Sequence, residues 1–139
     1  NEEFENEVKN GRVLEKYYRQ DTNTWYGTLK NKLDEQVEKY DLVLGDLQIV
    51  GAKAHKQFYN STNIFILPES DEIMEKRIRA RNSMTDVEWQ ERLSHTKREM
   101  EEDLPFYDYK IYNPEGKLDQ TVEQILEILK NEGYKIVLK

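Results

Sequence analysis

Cysteine is absent from this chain. That removes disulfides, thiolate zinc sites and cysteine nucleophiles together. Only two histidines are present, His55 and His95, too few and too far apart for a histidine-based metal site. No apolar run approaches the length of a membrane span, and no signal-peptide pattern opens the chain. A cytoplasmic location is the expectation. Basic residues are outnumbered, 21 Lys and Arg against 28 Asp and Glu. The net charge of -7 argues against a nucleic-acid backbone as partner, while a small anion held by a few local arginines fits. Pro, Gly and Ser are nowhere dense enough to form a linker, and no internal repeat or low-complexity tract is visible.

What is present suits one domain. The length of 139 residues supports a single core. Hydrophobic residues make up 37% and charged residues 35%, polar for a globular chain but too rich in aromatics for a disordered one. The first residue is Asn1, as expected of a fragment.

Periodicity gives a coarse map. Phe4 and Val8 predict a short helix, Gly11 its stop, and Val13 and Leu14 a strand. Leu33 and Val37 sit at helical spacing. DLVLGDLQIV and STNIFILP are apolar runs of strand length, suited to a parallel sheet buried on both faces. Pro68 ends the second, and Ser70 caps a helix to about Arg81. Thr85 and Glu88 form a capping box for a longer helix whose stripe is Trp89, Leu93, Met100 and Leu104. YDYKIYN is a third strand. Leu118, Val122, Ile125 and Leu129 mark a last helix, Gly133 its end, and YKIVL a final strand. Strands alternating with helices mean α/β.

Three features carry candidate chemistry. Asp46 ends an apolar run read as a strand, where ligands of open α/β sheets bind, or else it caps the helix starting near Gly51. Arg77 and Arg81 are i,i+4 on one helix, with Arg92 on the next. Their planar donors suit phosphate oxygens, and a solvated face balanced by Glu72, Glu75 and Glu91 is the competing reading. NTWYGT places two adjacent aromatics in a polar stretch, either a packed hairpin turn or part of a ligand flap. GDLQIVGAK imitates a phosphate-binding loop and fails. That loop needs G-x-x-x-x-G-K-[ST], whereas here the second glycine is one place late and Ala54 stands where the hydroxyl belongs.

The ordered set EEFENEVKNGRVLE, WYGT, DLQIVG, IFILPES, EKRIRARNSMTDVEWQERL and YDYKIYN resembles the guanylate kinases, which phosphorylate GMP with ATP. The register runs from about Glu2 to Leu129. The resemblance implies a P-loop kinase-like α/β core with a parallel sheet, a small β-rich monophosphate-binding subdomain over residues 12–30, and a helical lid over 79–96. It implies GMP contacts from Glu15 and Thr28 to the base and from Tyr26 to the phosphate, with Gly27, Asp46 and Gln48 also at the GMP site. Arg81 and Arg92 would clamp the transferred phosphoryl group, and Arg77 and Asn113 would flank the adenine of ATP. Asp46 would serve Mg2+, through water. The partners implied are GMP and ATP, in a monomer or homodimer.

Departures accompany the match. Gln48 stands where the family has a second acid, Val50 where it has glutamine, and Pro114 follows Asn113. The loop between Glu15 and Tyr26 is slightly long. The family's first strand and P-loop have no counterpart among these residues, so the 139 residues alone are expected to be inactive. A non-catalytic interaction module, or a kinase of another small phosphorylated metabolite, are the alternatives.

Overall fold

A computed structural model describes residues 2–19, 23–81 and 84–135. The chain forms two compact units, Asn1–Ser61 and Thr62–Lys139.

In the first unit, helix α1 (Glu2–Lys9) is followed by strands β1 (Val13–Arg19) and β2 (Thr24–Leu29) and helices α2 (Lys30–Lys39) and α3 (Ile49–Phe58). Gly11 ends α1 at φ 66°, a left-handed conformation that costs glycine little. The strands pair antiparallel, with Tyr17 opposite Tyr26 and Tyr18 opposite Trp25. The register slips by one residue between Val13 and Lys16. Such a bulge re-aims the side chains on either side of it. Val13 therefore packs behind the hairpin near Gly27, while Glu15 turns to the front face beside Thr28. TWYGTL is thus strand rather than turn, and its aromatics divide between two faces. Tyr26 stacks on Tyr17 at 5.5 Å. Trp25 tilts against Tyr18 on the opposite face, with the Lys16 ammonium over its ring.

One expectation fails here. DLVLGDLQIV holds no strand; residues 42–48 are irregular and α3 begins at Ile49. A strand needs a neighbour to complete its hydrogen-bond ladder, and no strand among the described residues pairs with this segment. Leu44 is accordingly 76% exposed. Nor does Asp46 cap α3, whose N-cap is Gln48, without a side-chain hydrogen bond.

The second unit holds the parallel pair β3 (Ile64–Leu67) and β4 (Tyr109–Tyr112). Helices α4 (Asp71–Arg81) and α5 (Asp86–Asp103) and a short 3-10 turn (Leu104–Phe106) make the crossover, as parallel strands require. Ser70 Oγ accepts from the Ile73 amide at 3.4 Å, and the Thr85–Glu88 capping box is formed. Helix α6 (Leu118–Asn131) closes the unit, and Gly133 follows at φ 93°. The core comprises Leu67, Trp89, Ile111, Ile128 and Leu129. The stripe expected on α6 is partly displaced. Leu118 and Val122 are exposed, while Thr121 is buried because its hydroxyl donates to Asn113 Oδ1 at 3.1 Å. The strand expected at YKIVL lies largely outside the described residues. Among those described, no helix is long and apolar enough to cross a membrane.

Candidate functional site

The front face of the β1–β2 hairpin carries a buried carboxylate. Glu15 is 9% exposed as a residue, and its Oε1 accepts a hydrogen bond from Thr28 Oγ1 at 2.7 Å. The one-residue bulge makes this meeting possible, since it puts Glu15, Tyr17, Tyr26 and Thr28 on one side of the hairpin. Gly27 lies between Tyr26 and Thr28 and points the other way. A Cβ there would stand 2.5 Å from the Glu15 carbonyl oxygen, 2.9 Å from Val13 Cγ1 and 3.2 Å from Phe4 Cε2. Its lack of a side chain lets the two strands and α1 approach.

Helix α3 covers Glu15 from its other side. Gly51 sits where a Cβ would be 3.5 Å from Glu15 Oε1. His55, one turn later on the same face, brings Nε2 to 3.4 Å from Glu15 Oε2. Neither of those two atoms completes a hydrogen bond, so the pair is within ionic reach but poorly directed. Another turn on, Tyr59 packs its ring 6.1 Å from the imidazole and donates to Asp34 Oδ1 at 2.6 Å. Lys30 Nζ reaches the same carboxylate at 2.9 Å. Burial, and then the bond to Asp34, push the Tyr59 phenol up; Tyr59, and then Lys30, hold the Asp34 carboxyl below its ordinary value.

Of the other sequence-derived residues in this unit, Asp46 and Gln48 are exposed. Asp46 makes no hydrogen bond or ion pair with a described residue.

The second unit brings together Arg77 and Asn113. The Arg77 guanidinium donates to the Asn113 carbonyl at 3.0 Å, so α4 is tied to the end of β4. Arg81 and Arg92 are both exposed, on α4 and α5 respectively, and neither is paired with a described residue. Arg79 behaves otherwise. It donates to Glu75 at 2.7 Å, to the Met84 carbonyl at 2.8 Å and to Asp86 at 2.8 Å. The bonds to Glu75 first, and then to Asp86, push its guanidinium pKa up further. Glu75, one of the acids read as balancing Arg77, Arg81 and Arg92, pairs instead with Arg79, and no described acid pairs with Arg81 or Arg92.

Sequence reasoning misses His55 and Tyr17. Glu15 and His55 are 40 positions apart with no local signal joining them. The legible hint is that Gly51, His55 and Tyr59 are spaced four apart, the first two on one face of α3 and Tyr59 just past its end.

The family model described as guanylate kinase matches residues 1–132. A guanylate kinase of Synechocystis sp. is 30% identical over 132 residues, covering 94% of this chain and 66% of the relative. One from Prochlorococcus marinus is 34% identical over 131 residues, covering 94% and 68%. One from Rickettsia felis is 37% identical over 136 residues, covering 96% and 67%. The chain thus spans about two thirds of the length of these relatives. With the match extending over nearly all of its residues, the chain belongs to the guanylate kinase family.

Proposed function

We propose that the natural protein transfers the γ-phosphoryl group of ATP to GMP, forming GDP and ADP. The observation that carries this reading is the Glu15–Thr28 pair: a buried carboxylate fixed by a hydroxyl, on the same strand face as an exposed tyrosine. Guanine presents N1–H and an exocyclic N–H on one edge, and a fixed carboxylate accepts both. Adenine has an acceptor at N1 and no amine at C2. Tyr26, two residues before Thr28 on the same face, extends the site in the direction of a 5′-phosphate. Gly27 serves by its small size, and Gln48, exposed at the N-cap of α3, would offer its amide to GMP.

Asp46 suits a magnesium ion. It is exposed and pairs with no described residue, and Mg2+ characteristically takes one or two carboxylates and completes its shell with water and phosphate oxygens. When bound, the ion would neutralise charge on the phosphates. The remaining work belongs to side chains. Arg81 and Arg92, exposed, without a partner among the described residues and on consecutive helices over residues 79–96, have the properties of lid arginines that meet phosphate oxygens as charge develops. Arg77 holds the Asn113 backbone while Thr121 takes Asn113 Oδ1. That leaves the Asn113 amide nitrogen as a donor to the adenine of ATP.

The test is a coupled phosphorylation assay on the full-length natural protein, with GMP and AMP as acceptors. A kcat/KM for GMP at least about a hundredfold above that for AMP is expected, as polar sites discriminate when a mismatch leaves buried groups unpaired. Equal use of the two acceptors, or of neither, would overturn the reading.

A further inference from the structure

Glu15 and His55 are two buried groups, each with one polar atom unfilled. The Glu15 side chain is 5% exposed and that of His55 13%. Thr28 fills a position on Oε1, yet Oε2 accepts no hydrogen bond and His55 Nε2 makes none, although they stand 3.4 Å apart. Burying an unmatched carboxylate oxygen is costly. A small rotation of either side chain would satisfy both atoms at once.

We infer that His55 is a positioning residue for base recognition, whose Nε2–H fixes the second oxygen of Glu15. This rests on Glu15 being the guanine-reading carboxylate. A carboxylate offers about four acceptor positions, two on each oxygen. Thr28 takes one on Oε1, and His55 is poised to take one on Oε2. One remains on each oxygen, which matches the two donors of the guanine edge in number and spacing. Without His55 the carboxylate is pinned at Oε1 alone and can turn about its Cγ–Cδ bond. Either the imidazolium or the neutral tautomer protonated at Nε2 supplies the donor.

The imidazole itself is well placed to hold. Around Gly51, one turn before it, α3 packs against the carboxylate at ordinary van der Waals distance, since even a Cβ there would lie 3.5 Å from Glu15 Oε1. Tyr59, one turn after it, packs against the ring and is anchored through Asp34 to Lys30. The row therefore links a residue of the α2 surface to the orientation of Glu15.

The test uses steady-state kinetics on the full-length protein, with GMP and ATP varied separately, for His55→Leu, His55→Gln, Glu15→Gln and the Glu15→Gln/His55→Leu double variant. His55→Leu should raise the KM for GMP by about tenfold, the worth of one hydrogen bond to a charged group, with kcat and the KM for ATP little changed. His55→Gln, which retains a donor, should recover most of that loss. On the Glu15→Gln background, His55→Leu should add less than about twofold, because a residue acting through another is not additive with it. If His55→Leu does not fold, His55→Asn, too short to reach Oε2, should show the same rise in KM. An unchanged KM for GMP, equal losses for Leu and Gln, or full additivity with Glu15→Gln overturns the inference. Absence of GMP turnover by the wild type is a different result; it overturns the functional reading and the inference with it.

Discussion

Arg79 and Asp86 are joined by a 2.8 Å ion pair that ties the last turn of α4 to the first turn of α5. Arg81, two positions further on, has no such partner among the described residues. Within one basic helix, Arg79 is therefore held by its contacts while Arg81 is left to solvent. Arg79→Ala should lower the melting temperature, since it releases Glu75, Asp86 and the Met84 carbonyl together, while leaving turnover of the folded enzyme nearly normal.

Arg81→Ala and Arg92→Ala should do the reverse. An arginine that acts on a transferring phosphoryl group contributes about 10³–10⁵ in rate when supplied in related reactions. A fall in kcat on the order of a hundredfold, with a much smaller rise in the KM for GMP, would already mark that role. Neither substitution should move the melting temperature appreciably. Near-normal kcat in both variants would remove the lid assignment from residues 79–96.

Base choice should follow Glu15. Glu15→Gln keeps an acceptor for Thr28 but replaces one carboxylate oxygen with a donor, which meets a donor on the guanine edge. An unmatched buried polar group costs about 1–3 kcal/mol, more when charged. The ratio of kcat/KM for GMP to that for AMP should fall at least about tenfold, with little change in the KM for ATP. An unchanged ratio would mean that the carboxylate does not read the base.

The elements that were legible in the sequence are those with local causes. Ser70, the Thr85–Glu88 box and Gly133 mark helix ends through contacts within a few residues. IFIL and YKIY read as strands because each is short, apolar or aromatic, and bounded by turn formers. DLVLGDLQIV has the same composition, but composition does not supply the neighbouring strand that a ladder needs. Thr121 defeats a hydrophobicity count on α6, because hydrogen bonding rather than apolarity makes its burial favourable. At the site, Glu15 and Thr28 were visible through the family pattern. The bulge that aims Glu15 and the approach of His55 were not, since both arise from pairing between distant segments.

Two glycines near Glu15 should respond oppositely to alanine. At Gly27 a methyl would meet a backbone oxygen at 2.5 Å, and neither strand can withdraw without breaking the hairpin. Overpacking of this kind costs about 1–3 kcal/mol, so Gly27→Ala should shift the urea midpoint down clearly. At Gly51 the nearest atoms lie at 3.4 Å and beyond, ordinary contact, and alanine gains about 0.8–1.0 kcal/mol of helix propensity over glycine. Gly51→Ala should be neutral or stabilising. Equal destabilisation by both would show that the packing around Gly27 is looser than its contacts indicate.

The pH dependence of stability should carry the signature of Tyr59 and Asp34. The hydrogen bond from Tyr59, and then the one from Lys30, hold the Asp34 carboxyl below its ordinary 3.8. The folded state thus releases the proton more readily than the unfolded state. That contribution is present above about pH 4 and is lost as pH falls through the folded value. Tyr59 is displaced in the other direction, above its ordinary 10.0, by burial and then by its bond to Asp34. Its contribution is complete below about pH 10 and is lost as pH rises through the folded value. Tyr59→Phe removes the shared bond and should flatten both limbs while lowering the plateau between them. Asp34→Asn should remove the acid limb and shorten the alkaline one, because the phenol then donates to a neutral oxygen. Urea melts of the three proteins from pH 3 to 11 would show this. Parallel curves, displaced by a constant amount, would mean that the bond contributes packing alone and no linkage to protons.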